Sequence, residues 1–177
     1  TFGPVVANRD IDLTLRYGEI LALLGENGSG KTTLMNMLSG LYAPDSGSIA
    51  VGGKPAQIRS PRDAQALGIG MIHQHFKLVE MLTVEENIVL GTPKMRGGGA
   101  AVRAIEELSA RFGLAVDPSR KVHTLSVGEK QTVEILKVLY RGSRILILDE
   151  PTAVLTPQEI DKLFDILRRM RAEGCAV

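Results

Sequence analysis

The chain has 177 residues, of which 44% are hydrophobic, and its 21 basic and 20 acidic residues leave a formal net charge of +1. This length and hydrophobic content suit one domain with a buried core. The balanced charge excludes the basic surface of a protein held mainly by nucleic-acid phosphates, so we expect no nucleic-acid partner. No apolar stretch approaches the about 20 residues that span a bilayer, so a membrane role would be peripheral.

The first predicted elements are strands. Residues 11–15 alternate between apolar and polar side chains, which predicts a half-buried strand in an N-terminal antiparallel β portion. An apolar run over residues 20–24 predicts a buried strand that leads into a glycine-rich segment.

That segment has the phosphate-binding pattern G-x-x-x-x-G-K-[ST]. Its glycines let backbone amides turn inward around phosphate oxygens, where a Cβ would block the turn or the approach. Lys31 supplies a positive charge for the β and γ phosphates, Thr32 offers a hydroxyl to Mg²⁺, and a helix over residues 34–41 directs its dipole at the same anion. The pattern predicts a nucleoside triphosphate site formed by Gly25, Glu26, Asn27, Gly28, Ser29, Gly30, Lys31, Thr32 and Thr33.

The rest of the chain alternates between short apolar runs and helices. The runs at residues 70–72 and 145–148 are typical of central strands in a parallel sheet covered on both faces. Capping boxes at 83–86, 126–129 and 156–159 mark three helix starts. Because the pattern from about residue 76 to 140 is mainly helical, we expect an α/β fold with a mainly parallel sheet and an inserted helical subdomain.

Two acidic residues, Asp149 and Glu150, follow the strand at 145–148. Side chains at the carboxyl ends of parallel strands point into the ligand crevice. Asp149 is therefore a candidate Mg²⁺ ligand, and Glu150 is a candidate base for the water that attacks the γ phosphate. A solvated acidic pair closing a strand is the alternative.

Four motifs, taken in order, resemble those of the ATP-binding cassette (ABC) transporter ATPases, a family of P-loop NTPases. They are residues 25–33, Gln74, residues 125–131 and residues 145–152. The resemblance covers essentially the whole chain. Within the family, the sequence is most similar to the ATP-binding proteins of bacterial simple-sugar and nucleoside importers. Of these two solute classes, we favour nucleosides.

The resemblance implies roles for further residues. Phe2 would stack on adenine, although an apolar residue near a terminus needs no such role. Gln74 would bind Mg²⁺ and sense the γ phosphate, and residues 76–82 would face a membrane-spanning partner. Ser126, Gly128 and Glu129 would contact ATP held by a second cassette, although the same stretch is also a capping box. Val127, Glu129 and Thr156 depart from the residues common in the family, so the trans contact and communication between paired sites are open to question.

We therefore interpret residues 1–177 as one ABC ATPase domain, truncated at its C-terminus. It would bind ATP and Mg²⁺ and use Lys31, Gln74 and Glu150 in hydrolysis. The resemblance implies a peripheral subunit on the cytoplasmic face of the membrane that works with a second ABC half, permease subunits and, indirectly, a solute-binding protein. As cut, the chain should hydrolyse ATP poorly. A regulatory half that binds ATP without hydrolysis and an unrelated P-loop kinase or GTPase are the alternatives.

Overall fold

The computed structural model describes residues 2–92 and 99–177. The predicted helical segment 76–140 includes residues 93–98, which lie outside the described residues. The described elements, in chain order, are α1 (Lys31–Leu38), β1 (Ile49–Val51), β2 (Lys54–Ala56), α2 (Pro61–Ala66), β3 (Ile69–Ile72), α3 (Val84–Val89), α4 (Ala100–Phe112), a 3₁₀ turn (Val122–Thr124), α5 (Val127–Tyr140), β4 (Ile145–Leu148) and α6 (Pro157–Ala172).

A parallel sheet forms the centre of the molecule. Strands β3 and β4 pair in parallel, with Ile69 opposite Ile145 and Ile72 opposite Leu148. Backbone bonds extend the pairing, because the Leu146 amide donates to the Ala176 carbonyl at 2.8 Å. The chain continues to Val177, whose amide donates to the Glu19 carbonyl at 2.9 Å and whose carbonyl accepts from the Leu21 amide at 2.8 Å. The segment that leads into the phosphate-binding loop is thereby tied to the sheet.

The two faces of the sheet are both covered. Ile72 and Leu146 belong to a core shared with the helices that follow β3, whereas Ile69 and Ile147 pack with residues of α1 and α2. Parallel strands buried on both faces are the hallmark of α/β architecture. The predicted α/β fold with parallel and antiparallel pairing is confirmed.

Helices α3, α4 and α5 lie between β3 and β4 in the chain. Ile88, Ile105 and Leu136, one from each helix, are fully buried. Helix α5 also packs directly on β3. A Cβ placed on Gly70 of β3 would lie only 2.2 Å from Cγ1 of Val138 on α5. The helical part therefore contacts the sheet closely at Gly70, where only the side chain of Val138 separates the two backbones.

Three predicted helix starts are confirmed. Thr83, Ser126 and Thr156 each accept a bond from the backbone of the residue three positions later, and the glutamate there accepts from the cap amide in return. Within the described ranges, no helix is both long and apolar enough to cross a membrane.

The predicted strands before the loop are wrong in detail. Residues 11–15 carry no strand; Ile11 is 53% exposed, and no other described segment pairs with its backbone. Antiparallel pairing occurs instead in the β1–β2 hairpin. Residues 20–24 are not assigned as a strand: the Leu21 amide donates to the Val177 carbonyl, but Leu24 is 92% exposed. Alternating polarity predicts a strand only where a partner backbone is present.

Candidate nucleotide-binding site

The phosphate-binding loop turns at Gly28 and Gly30, whose φ angles are +82° and +89°. This left-handed conformation is costly for residues with a side chain. Gly30 is also enclosed: a Cβ there would lie 2.3 Å from the Ala7 carbonyl oxygen and 2.8 Å from Asn8 Nδ2. Asn8 Nδ2 also donates to the Gly30 carbonyl at 3.3 Å. Residues from the N-terminal segment therefore hold the loop just before α1 begins.

Lys31, the first residue of α1, folds back over the loop. Its Nζ donates to the carbonyls of Gly25 and Glu26 at 2.7 and 2.8 Å, and it lies 3.4 Å from Ser29 Oγ. These acceptors are uncharged oxygens, so they do not neutralise the positive charge at the centre of the loop. Phosphate oxygens placed there would replace these carbonyls with charged acceptors.

The loop also offers unpaired amides. Among the residues that the structure describes, the backbone N–H groups of residues 27, 28, 30 and 31 donate to no acceptor. Helix α1 adds the positive end of its dipole at the same place. Several free donors, one lysine and a helix N-terminus fit a polyphosphate.

Thr32 and Asp149 meet at one edge of the sheet. Thr32 Oγ1 lies 3.4 Å from Asp149 Oδ1, although the two residues come from α1 and from the end of β4. The Asp149 amide donates to the Ile72 carbonyl at 3.1 Å, which continues the ladder and holds the residue at this edge. A hydroxyl and a carboxylate are hard oxygen donors, so the pair fits Mg²⁺.

Glu150 and Gln74 meet beside this pair. Gln74 Nε2 donates to Glu150 Oε2 at 3.1 Å, because the residues follow the neighbouring strands β3 and β4. Glu150 has a φ of +48°, which is unusual for a residue with a side chain. Backbone strain of this kind concentrates at functional positions.

The start of α5 shows how Glu129 is placed. Its carboxylate accepts from the Ser126 amide at 2.7 Å and from Arg120 Nη1 at 2.5 Å. The Ser126 amide is the main reason that the pKa of Glu129 lies below its usual value, and Arg120 lowers it further. The carboxylate is therefore turned back toward its own helix start and neutralised there.

Gly128 has an unpredicted neighbour. Its amide donates to Glu159 Oε1 at 3.1 Å, and a Cβ on Gly128 would lie 2.5 Å from the same oxygen. Glu159 also caps α6 through Thr156, whose backbone amide is the main cause of the lowered pKa of Glu159. An anion of the same chain thus occupies an amide that the resemblance reserves for a γ phosphate.

Phe2 lies against Tyr42, beyond the C-terminal end of α1. The ring centroids are 5.3 Å apart at an interplanar angle of 76°, and Phe2 is about half exposed. The structure brings Phe2 to an aromatic neighbour, and its adenine-stacking role stays a prediction.

Sequence reasoning missed several of these residues. Asn8 and Arg120 carry no local signal, because each acts on a segment distant along the chain or across a turn. The capping box at 156–159 predicts the bond of Glu159 to Thr156 but not its contact with Gly128. Glu134 did carry one: it is a charge inside the apolar run of α5 and is 5% exposed. A charged residue at a core position is rare without a partner.

Comparison with known proteins shows which family the chain resembles. The family model described as "ABC transporter" matches residues 8–153. The nucleoside import ATP-binding protein NupA of Lactococcus lactis is 53% identical, with 99% of this chain and 36% of that protein covered. A ribose import ATP-binding protein of Rubrobacter xylanophilus is 49% identical, with 99% and 36% covered. The chain thus spans about a third of the length of these curated relatives.

A solved structure supports the same assignment. The cbiO1 protein of Clostridium perfringens, part of the ABC transporter complex cbiONQ, superposes with a TM-score of 0.81 at 31% identity, covering 95% of this chain and 68% of that one. The family model, the relatives and the fold agree, and the chain belongs to the ABC transporter family.

Proposed function

We propose that this chain is the ATP-binding and ATP-hydrolysing part of an importer for a nucleoside or a simple sugar. The observation that carries the proposal is the meeting of side chains from α1, β3 and β4 at one sheet edge. Thr32 lies at Asp149, and Gln74 lies at Glu150. The higher identity to a nucleoside importer protein than to a ribose importer protein favours a nucleoside.

Separate residues of the site bind the phosphates and Mg²⁺. Lys31 Nζ leaves the carbonyls of Gly25 and Glu26 and binds the β and γ phosphates instead. The free loop amides bind oxygens of the same phosphates. Thr32 Oγ1, Asp149 and the amide oxygen of Gln74 would hold Mg²⁺, which neutralises phosphate charge when bound.

Glu150 orients the attacking water and accepts its proton. Gln74 donates to Glu150, so the same glutamine links the metal ligands to the base. In-line attack then depends on positioning more than on covalent chemistry by the protein.

The start of α5 would complete the site of a second ABC half. Ser126 and Gly128 would meet the γ phosphate bound by that half, with Glu129 held back by Arg120. Glu159 would have to leave the Gly128 amide first. This requirement supports the proposal that the chain alone hydrolyses ATP poorly. Permease subunits would contact residues 76–82 at the cytoplasmic face of the membrane, and a solute-binding protein would act through them.

A regulatory half that binds ATP without hydrolysis is the second candidate. The contact between Glu159 and Gly128 favours it, since that contact blocks the trans amide in the resting chain. The intact set of Lys31, Asp149 and Glu150 favours hydrolysis.

Glu150→Gln tests the leading candidate. The amide keeps the size and polarity of the side chain but cannot accept a proton, so ATP binding should persist while steady-state hydrolysis falls by about 100-fold or more. Hydrolysis is measured on the full-length protein assembled with its partners, and MgATP binding is measured on the chain by calorimetry.

Lys31→Met is the binding-deficient reference, and Lys54→Met, on exposed β2, is the matched control for loss of a lysine. Near-normal turnover by Glu150→Gln would reject Glu150 as the base. Absence of turnover in the wild-type assembly, with binding intact, would select the regulatory candidate.

A further inference from the structure

The start of α5 carries a carboxylate at the place where the proposed function needs an anion to approach. Glu129 lies in the first turn of α5, beside Ser126 and Gly128, which would meet a γ phosphate held by a second half. Like charges brought together at an interface repel each other. The charge of Glu129 must therefore be compensated before a phosphate can bind there.

Both oxygens of the Glu129 carboxylate are bonded within the chain. Oε2 accepts from the Ser126 amide at 2.7 Å, and Oε1 accepts from Arg120 Nη1. The Gly128 amide, in contrast, donates to Glu159. The Glu129 carboxylate is thus committed to the cap amide and to a guanidinium, and it leaves the Gly128 amide to another acceptor.

Arg120 is fixed by the turn that precedes α5. Its Nη2 donates to the Thr124 carbonyl at 2.7 Å. Its backbone amide donates to the Asp117 carbonyl at 3.2 Å, and its own carbonyl accepts from the Val84 amide at 2.9 Å. Because the backbone and the guanidinium both have these other partners, the position of Arg120 beside Glu129 does not depend on the ion pair alone.

Lys130, the residue after Glu129, does not supply the compensating charge. Its Nζ donates to Glu80 Oε1 at 2.7 Å, so its charge is taken up by a different carboxylate. Among the ion pairs of the described residues, only the one with Arg120 includes Glu129. The compensation therefore comes from across the turn and not from α5 itself.

This ion pair is too exposed to matter much for folding. The side chains of Arg120 and Glu129 are 37% and 32% exposed. Exposed ion pairs contribute little to stability, because water and salt screen the two charges. Loss of the pair should change the charge at the start of α5 more than it changes the stability of the chain.

We propose that Arg120 is a positioning residue that neutralises Glu129 and holds its carboxylate at the cap, so that the start of α5 accepts an anion although it carries a glutamate. The anion is the terminal phosphate of a nucleotide bound by a second ABC half. The inference rests on the proposed function, and it adds a charge compensation that a glutamine at position 129 would not need.

Titration of the full-length assembly with Mg²⁺ and the slowly hydrolysed analogue ATPγS tests this role. Arg120→Met should weaken binding by about ten-fold, because the unpaired Glu129 carboxylate repels the terminal phosphate. The loss should shrink as salt is raised from about 0.05 M to about 0.5 M. In a Glu129→Gln background, Arg120→Met should change the affinity by less than about two-fold, because no carboxylate remains to be neutralised.

The comparison between the two backgrounds separates charge from structure. Arg120→Met removes the bond to the Thr124 carbonyl in both, so a structural defect would appear in both. Arg120→Lys keeps the positive charge and should retain most of the affinity. Arg168→Met, which breaks an exposed ion pair with Asp165 on α6, is the matched control. If Arg120→Met unfolds, Arg120→Gln decides, because its amide can still donate to the Thr124 carbonyl.

The possible results are distinct. A wild-type assembly that does not bind ATPγS would reject the nucleotide site, and the proposed function and this inference with it. Wild-type binding that Arg120→Met leaves unchanged would reject only the role of Arg120. A loss that Glu129→Gln does not relieve would also reject that role, since Arg120 would then act through the fold. A loss that Glu129→Gln relieves and salt diminishes would support it.

Discussion

Gly28 and Gly30 have similar backbone angles but different surroundings. Both lie in the left-handed region, yet a Cβ on Gly28 would meet no atom within 4 Å, whereas one on Gly30 would meet the Ala7 carbonyl oxygen at 2.3 Å. The pair separates two reasons for glycine in this loop. Gly28 serves the turn alone, and Gly30 serves the turn and the close approach of the N-terminal segment.

This difference predicts unequal losses of stability. Gly28→Ala should lower the free energy of unfolding by about 1 to 2 kcal/mol through backbone strain. Gly30→Ala adds a collision with backbone, which cannot rotate away as a side chain would, and should cost about 3 kcal/mol or more. Urea unfolding of the two variants measures the difference. Equal losses would show that Ala7 and Asn8 do not hold the loop.

At the scale of elements, three helices are capped in the same way, by a glutamate three residues after the cap residue. Glu86, Glu129 and Glu159 each accept the backbone amide of the cap residue, and that bond is the main reason that the pKa of each carboxyl lies below its usual value of 4.5. The folded state therefore favours the charged form at all three positions.

The sign of the pH dependence follows. Because the folded pKa values are lowered, the caps contribute fully above about pH 4.5, and their contribution is lost as the pH falls through the lowered values. The free energy of unfolding should fall as the pH drops below about 4.5. In the triple variant Glu86→Gln, Glu129→Gln, Glu159→Gln the caps no longer titrate, and the slope measured by urea unfolding should be shallower. An unchanged slope would assign the acid sensitivity to other carboxyls.

At the scale of the whole molecule, Glu159 joins the start of α6 to the start of α5. Closure with a second cassette, as proposed above, would place a γ phosphate at the same Gly128 amide. A carboxylate and a phosphate at one N–H would repel each other, so the internal contact would compete with that closure.

Removing one charge should shift this competition. In a Glu150→Gln background with saturating MgATP, Glu159→Gln should raise the dimer fraction measured by sedimentation, since a neutral amide is the weaker acceptor and still caps α6. Asp165→Asn, an exposed change on the same helix, is the control. A dimer fraction that falls would show that Glu159 supports the trans surface instead of blocking it.

Local patterns predicted much of the architecture. The strand at 145–148, the three helix caps and the fold class are confirmed, because apolar runs and capping boxes depend on neighbours in the chain. The strand at 11–15 was wrong because its existence depends on a partner. Thr32 and Asp149 could be expected to meet, since both were predicted Mg²⁺ ligands, one at the start of the helix after the phosphate-binding loop and one at the carboxyl end of β4. The contact of Glu159 with Gly128 depends on how separate elements pack, which no local pattern encodes.

The contact between Gly70 and Val138 limits the side chains that fit at both positions. A methyl group at position 70 would require the atoms of Val138 and Ser143 to move, since it would lie 2.2 Å from one and 2.7 Å from the other. Alanine at 70 would therefore fit better beside a smaller residue at 138. The two residues together set the spacing between the sheet edge that carries Gln74 and the helix whose start carries Ser126.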